Sequence, residues 1–216
     1  MILILIFFLF FYCFDKILHY NNIKGEYYIN HFIGNMIISY LCIIDIFNLY
    51  YNLFNNNTKY YNLEYSLIPG NITYALHFYH IYMYFTKLKF DDWLHHILMV
   101  VICLPLSEYS NCLIMTNHCL FFLSGFPGGI NYLLLSLQRN ELITKYTQKY
   151  YNNILNLWIR LPGCIISYTT GLIIFNMNMT NFTIQYLIQL FIGFCIMWNG
   201  IYFMEQVHRN FILYKK

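Results

Sequence analysis

Seven stretches of this chain are too apolar to be left in water. Hydrophobic windows of about twenty residues recur at 1–20, 31–54, 67–86, 93–113, 116–137, 154–175 and 183–206. The hydrocarbon core of a bilayer is about 30 Å thick, a distance that an α-helix of roughly 20 residues crosses. Within it, a helix satisfies every backbone N–H and C=O inside its own segment. The runs therefore predict an all-α, polytopic transmembrane bundle of about seven spans. Composition agrees, since only 10% of the 216 residues are charged, against about 25% in a soluble domain. The first run is the weakest, uninterrupted only from Met1 to Phe14 before Asp15 and Lys16. It lacks the basic n-region and small-residue cleavage site of a signal peptide and is expected to be an uncleaved span.

Charge placement gives the expected orientation. Lys16 and Lys24 follow the first run, Lys87 and Lys89 the third, Arg139, Lys145 and Lys149 the fifth, and Arg209, Lys215 and Lys216 the last. The intervening loops hold only Lys59, a bias of ten to one. The positive-inside rule then puts the C-terminus in the cytosol and the N-terminus on the far side. N-x-T triplets at Asn56, Asn178 and Asn181 fall in the non-cytosolic loops, while that at Asn71 lies within the third span. A net charge of +3, scattered along the chain, gives no basis for nucleic-acid binding. The cysteines form no CxxC pair and nearly all sit in apolar runs, as small buried hydrophobes do. Asn, Ile, Tyr and Phe abound beside a single alanine, Ala75, so an isolated Asn or Tyr carries little weight.

Polar and ionisable side chains inside spans are costly and are by default functional candidates. His77 and His80 lie one turn apart on one face of span three. His95 and His96 occupy the first turn or so of span four, about 100° apart around the axis, so at most one faces a given cavity. Asn131, Arg160, Asn199, Tyr202 and Glu205 fall toward the cytosolic ends of their spans, whereas Asp45 lies deeper. A shared depth predicts a cavity open to the cytosolic leaflet. The expected lining, and so the candidate lipid-binding set, is His77, His80, Asn131, Arg160, Asn199 and Tyr202. Each also has a structural explanation: interfacial wetting for the histidine pair, helix–helix hydrogen bonding for His77, and snorkelling or pairing with Glu205 or Asp45 for Arg160. Span five contains Ser124-Gly-Phe-Pro-Gly-Gly-Ile-Asn131, a segment that breaks regular helical bonding. Such a segment persists only where neighbours or a polar cavity satisfy the backbone, and close helix packing is its first explanation.

Tyr74-Ala-Leu-His-Phe-Tyr-His-Ile-Tyr-Met-Tyr-Phe, a short basic loop, and Trp93-Leu-His-His-Ile-Leu-Met resemble the core of the TLC-domain family. That family consists of multispanning proteins, mostly of the endoplasmic reticulum, and includes the ceramide synthases. The likeness continues through Ser124–Asn131 and Trp198-Asn-Gly-Ile-Tyr-Phe, over roughly residues 31–210. It implies residues 1–30 as a first span and cytosolic loop, 31–210 as a six-span TLC-like domain, and 211–216 as a short basic tail. The chain departs from the synthase branch, with no His-Asp or Asp pairs after the histidine pair, so the resemblance is closer to the non-synthase members.

The expected function is therefore a multi-pass membrane protein, by resemblance of the endoplasmic reticulum, that binds or senses a membrane lipid and affects lipid composition or trafficking. No cofactor or metal is expected. The alternative is a membrane acyltransferase with His95 or His96 as general base and acyl-CoA as substrate. A third reading is a histidine-rich di-iron hydroxylase or desaturase, since His77-x-x-His80 and Asp92-x-x-His95-His96 superficially suit it. Such sites need about eight nitrogen-rich ligands, and His19, His31, His118 and His208 read as scattered. A channel is disfavoured, because the polar positions stop short of the outer leaflet.

Overall fold

The computed structural model describes residues 1–55, 65–110, 113–178 and 184–215. Seven helical rods account for nearly all of them: α1 (Ile2–Tyr20), α2 (Glu26–Phe54), α3 (Ile68–Tyr84), α4 (Phe90–Tyr109), α5 (Met115–Arg139), α6 (Lys145–Ile174) and α7 (Ile184–Lys215). All but α3 are long and apolar enough to cross a membrane. At 17 residues α3 is about 26 Å long; a 3₁₀ turn at Phe85–Lys87 extends it, and it packs mainly against α1 and α2.

The outside of the bundle is apolar, as a lipid solvent requires. Tyr40, Phe47 and Trp158 are each about 70% exposed, and Leu5, Ile6 and Leu9 point outward along α1. The inside is built in two halves that share α5. Phe11, Ile38, Ile72, Leu76, Tyr79 and Leu120 join α1, α2, α3 and α5, and Met99, Leu123, Cys164, Ile192 and Ile196 join α4 to α7.

Polar ties close the two ends. At one, Asn140 Nδ2 donates to the Lys24 carbonyl over 2.9 Å, and Tyr202 donates to Asp91 over 2.7 Å. At the other, Asn117 Nδ2 donates to Asp45 Oδ2 (2.5 Å) and to the Ser66 carbonyl (2.8 Å), and Gln189 donates to the Ser110 carbonyl (3.2 Å). The turns at 21–25, 85–89 and 140–144 and the end of α7 thus share one end, where the basic residues gather. Lys59 and the sequons at Asn56 and Asn181 lie outside the described residues.

Three boundaries differ from the sequence expectation. Helices α2, α6 and α7 run past their apolar windows at the basic end, α6 starting at Lys145 beneath a Thr144 N-cap whose hydroxyl accepts from the Thr147 N–H over 3.1 Å. Polar first turns and long basic side chains continue a helix into the interface without an apolar signal. Residues 211–215 continue α7 as helix. The first helix packs into the bundle: Phe11 is core, and Asp15 accepts from Tyr79 (2.5 Å) and Tyr84 (3.2 Å).

Candidate functional site

The α3 face bearing His77 and His80 meets the start of α4. From His96 to Cys103 the α4 backbone winds as a π-helix, an arrangement frequent at functional positions. His77 Nδ1 and His96 Nδ1 stand 3.1 Å apart, and the His80 and His96 rings are edge-to-face at 4.8 Å. One nitrogen from each of His77, His80 and His96 lies within 4.8 Å of the others, the one such histidine group found among the described residues. All three rings are buried. His31 of α2, which the sequence leaves isolated, approaches to 5.2 Å from His80, and His95 to 5.3 Å from His77. Five imidazoles from three helices therefore form one band.

Their hydrogen bonding is incomplete. His31 Nδ1 is 2.9 Å from the Tyr27 carbonyl, which only accepts, so Nδ1 carries the proton and a neutral ring keeps a bare lone pair on Nε2. That Nε2, His95 Nδ1 and His96 Nε2 are buried without a hydrogen-bond partner among the described residues. Buried polar atoms are ordinarily satisfied, and each exception needs a reason. Above the band, the Tyr27 hydroxyl lies 3.4 Å from His80 Nδ1 and 3.0 Å from the Tyr132 hydroxyl.

Two cavities meet the band from opposite directions. A polar cavity of about 1150 Å³ opens at the basic end and is bordered by His80, Asp92, Asn131, Lys87, Lys89 and Arg139. Glu26 and Glu141 there pair with His19 (3.1 Å) and Lys24 (4.0 Å). Asp92 accepts the Lys89 N–H over 2.9 Å, capping α4. On the inner side, an apolar cavity of about 80 Å³ is bordered by His77, His95, Thr73, Met99, Cys103 and Gly171. The same two helices line both: His80 and Asp92 face the polar cavity, and His77 and His95, about one turn deeper, face the apolar one.

The remaining candidates lie elsewhere. Arg160 does not pair with Glu205, which bonds Arg209, nor with Asp45, which is held at the opposite end. Its Nε donates to the Leu123 carbonyl over 2.8 Å, its Nη1 to Asn156 over 3.3 Å, and its guanidinium sits 5.6 Å from the Phe203 ring. The reason is Pro127, four residues after Leu123, which brings no N–H to that carbonyl. Asn199 is 1% exposed on α7 and borders neither cavity, and Tyr202 is tied to Asp91. Asn131 borders the polar cavity with its side-chain carbonyl unpartnered. The glycines of the broken segment serve packing: a Cβ on Gly129 would lie 2.8 Å from Met36 Sδ of α2.

An apolar exterior, a two-part interior and six membrane-length helices define the class: a multi-pass helical membrane protein. Family models, curated proteins and solved structures offer no match to the chain.

Proposed function

We propose that this protein binds a single membrane lipid, with its headgroup in the polar cavity and the first methylenes of an acyl chain in the apolar one. The observation that carries the reading is the position of the histidine band, whose α3 and α4 members line a polar chamber above it and an apolar chamber below. Such a border matches an amphiphile at the junction of headgroup and chain. Lys24, Lys87, Lys89 and Arg139 outnumber Glu26, Asp92 and Glu141 around this cavity, which favours an anionic headgroup. A water-sized group needs about 10–15 Å³, so a cavity of about 80 Å³ has room for several small apolar groups. The TLC resemblance of the α3–α4 sequence, and with it the endoplasmic reticulum, supports the same reading.

Native mass spectrometry of the purified chain tests it. One lipid per chain is expected, and Gly171→Leu should reduce its occupancy by filling the apolar cavity, since a Cβ there meets only Met115 Cε at 3.8 Å. Lipid binding insensitive to Gly171→Leu, or none at all, contradicts the reading.

A second reading, acyl transfer from acyl-CoA, has one observation in its favour: His95 borders the apolar cavity with Nδ1 unpartnered, as a general base awaiting substrate would be. Asp91 and Asp92 are both engaged elsewhere, so no carboxylate hydrogen-bonds His95 among the described residues. Turnover of acyl-CoA with amine or lysolipid acceptors, lost in His95→Gln, decides for it.

A further inference from the structure

We infer that His77, His80 and His96 form a binding site for one divalent first-row transition-metal ion. The inference shares the histidine band with the lipid reading but does not require a lipid to be bound.

Three features of the cluster point to a cation. The first is spacing. Two nitrogens bound tetrahedrally to zinc at 2.0–2.1 Å stand about 3.3–3.4 Å apart, and His77 Nδ1 and His96 Nδ1 are 3.1 Å apart. The third nitrogen lies within 4.8 Å, so a shift of up to about 1.5 Å, through the soft χ2 torsion of an imidazole, brings all three onto one ion.

The second feature is unused lone pairs. Two imidazoles in mutual contact can share only one proton between the facing nitrogens. His77 Nδ1 and His96 Nδ1 face each other, and the buried, unpartnered Nε2 atoms of His31 and His96 are not the atoms that meet there. Packing that gathers so many imidazole nitrogens and leaves them unsatisfied is costly. A cation removes that cost for the nitrogens that reach it.

The third feature is support at His80. Ligating histidines ordinarily give their other ring position to a carbonyl, hydroxyl or carboxylate. His80 Nδ1 faces the Tyr27 hydroxyl at 3.4 Å, and Tyr27 is itself held by Tyr132. Asp92, one turn before His96 on the same α4 face, supplies a nearby anion at the border of the polar cavity.

The donor set fixes the class of ion. Three neutral imidazoles suit zinc, iron(II), nickel or copper and not magnesium or calcium, which demand oxygen. Three ligands are too few for two ions, so the site is mononuclear. A three-histidine site leaves a coordination position for an exogenous group, as catalytic zinc sites do. His77 on the apolar side and His80 on the polar side place that position at the junction of the two cavities.

The test is metal analysis of the full chain, purified in detergent through a tag without histidine. About one equivalent of metal per chain is expected, either as purified or after incubation with zinc. His80→Ala and His96→Ala should each weaken binding by at least about tenfold. His118→Ala should not, because that ring is at the far end, bonded to Tyr50 and Ser167. Should the variants fail to fold, cobalt(II) titration of the unaltered chain decides. Visible ligand-field bands that saturate at one equivalent and vanish on zinc addition support the site. Absence of bound metal in the unaltered chain, or stoichiometry indifferent to His80 and His96, overturns it. Failure of the lipid reading alone would leave the metal content unchanged.

Discussion

Arg160 shows how one residue's role turns on another's missing proton. Pro127 withholds the N–H that would serve the Leu123 carbonyl, and the guanidinium of α6 supplies it across the helix interface. Arg160→Met should therefore cost about 1–3 kcal/mol, read as a fall in thermal midpoint in detergent. Adding Pro127→Ala, which returns the N–H, should recover part of the loss; additive effects would break the link. His31 teaches the complementary lesson. The HxxH pair stands out in sequence by its helical spacing and the HH pair by its adjacency. A lone histidine on α2 gives no sign of which helix it will face, since pairing between spans is not written in local periodicity. Asn199 and Tyr202 share the depth of the histidines but not their direction, and depth was all that hydropathy could offer.

Helix–helix contact in lipid depends on close approach and on polar ties, and two elements make this testable. α1 leans on the bundle through Phe11 and through Asp15, whose carboxylate accepts from two tyrosines of α3. Asp15→Ala should cost about 1–3 kcal/mol and raise the proteolytic sensitivity of the turn at 21–25; unaltered cleavage would mean that apolar packing alone holds α1. At the α5–α6 contact, a Cβ on Gly163 would lie 2.1 Å from the Phe122 ring. Gly163→Ala should destabilise by about 1–3 kcal/mol through overpacking, whereas Gly70→Ala, with nothing nearer than Glu108 at 4.0 Å, should be neutral in the same melting assay. The existence of each helix was legible in its hydropathy. Its polar extension was not, because α6 from Lys145 onward looks like any amphipathic surface segment. The π-helical turns of α4, α5 and α6 also leave no trace in residue order.

The whole molecule is polarised along its axis. Basic turns and the polar cavity share one end, the Asp45–Asn117 and Tyr50–His118 ties mark the other, and the apolar cavity lies between. If the basic end faces the cytosol, an epitope after Lys216 should be reached once the plasma membrane alone is permeabilised. A glycosylation reporter placed after Asn55 should then be modified; the opposite pattern would invert the bundle. The all-α, multi-pass architecture was fully legible, because exclusion of charge from long segments admits few other folds. The approach of two cavities to one histidine band, through His80 on the polar side and His77 and His95 on the apolar side, was not, since it depends on how three helices rotate against one another. That approach is the central claim, and its most direct measurement is photo-crosslinking with a phospholipid carrying a diazirine on an early acyl methylene. Adducts mapped by mass spectrometry should fall on Met99, Cys103, Thr73 and the residues beside them, and should decline in Gly171→Leu. Adducts confined to the outer faces, at Ile6, Phe47 or Trp158, would show that lipid meets this protein only as solvent.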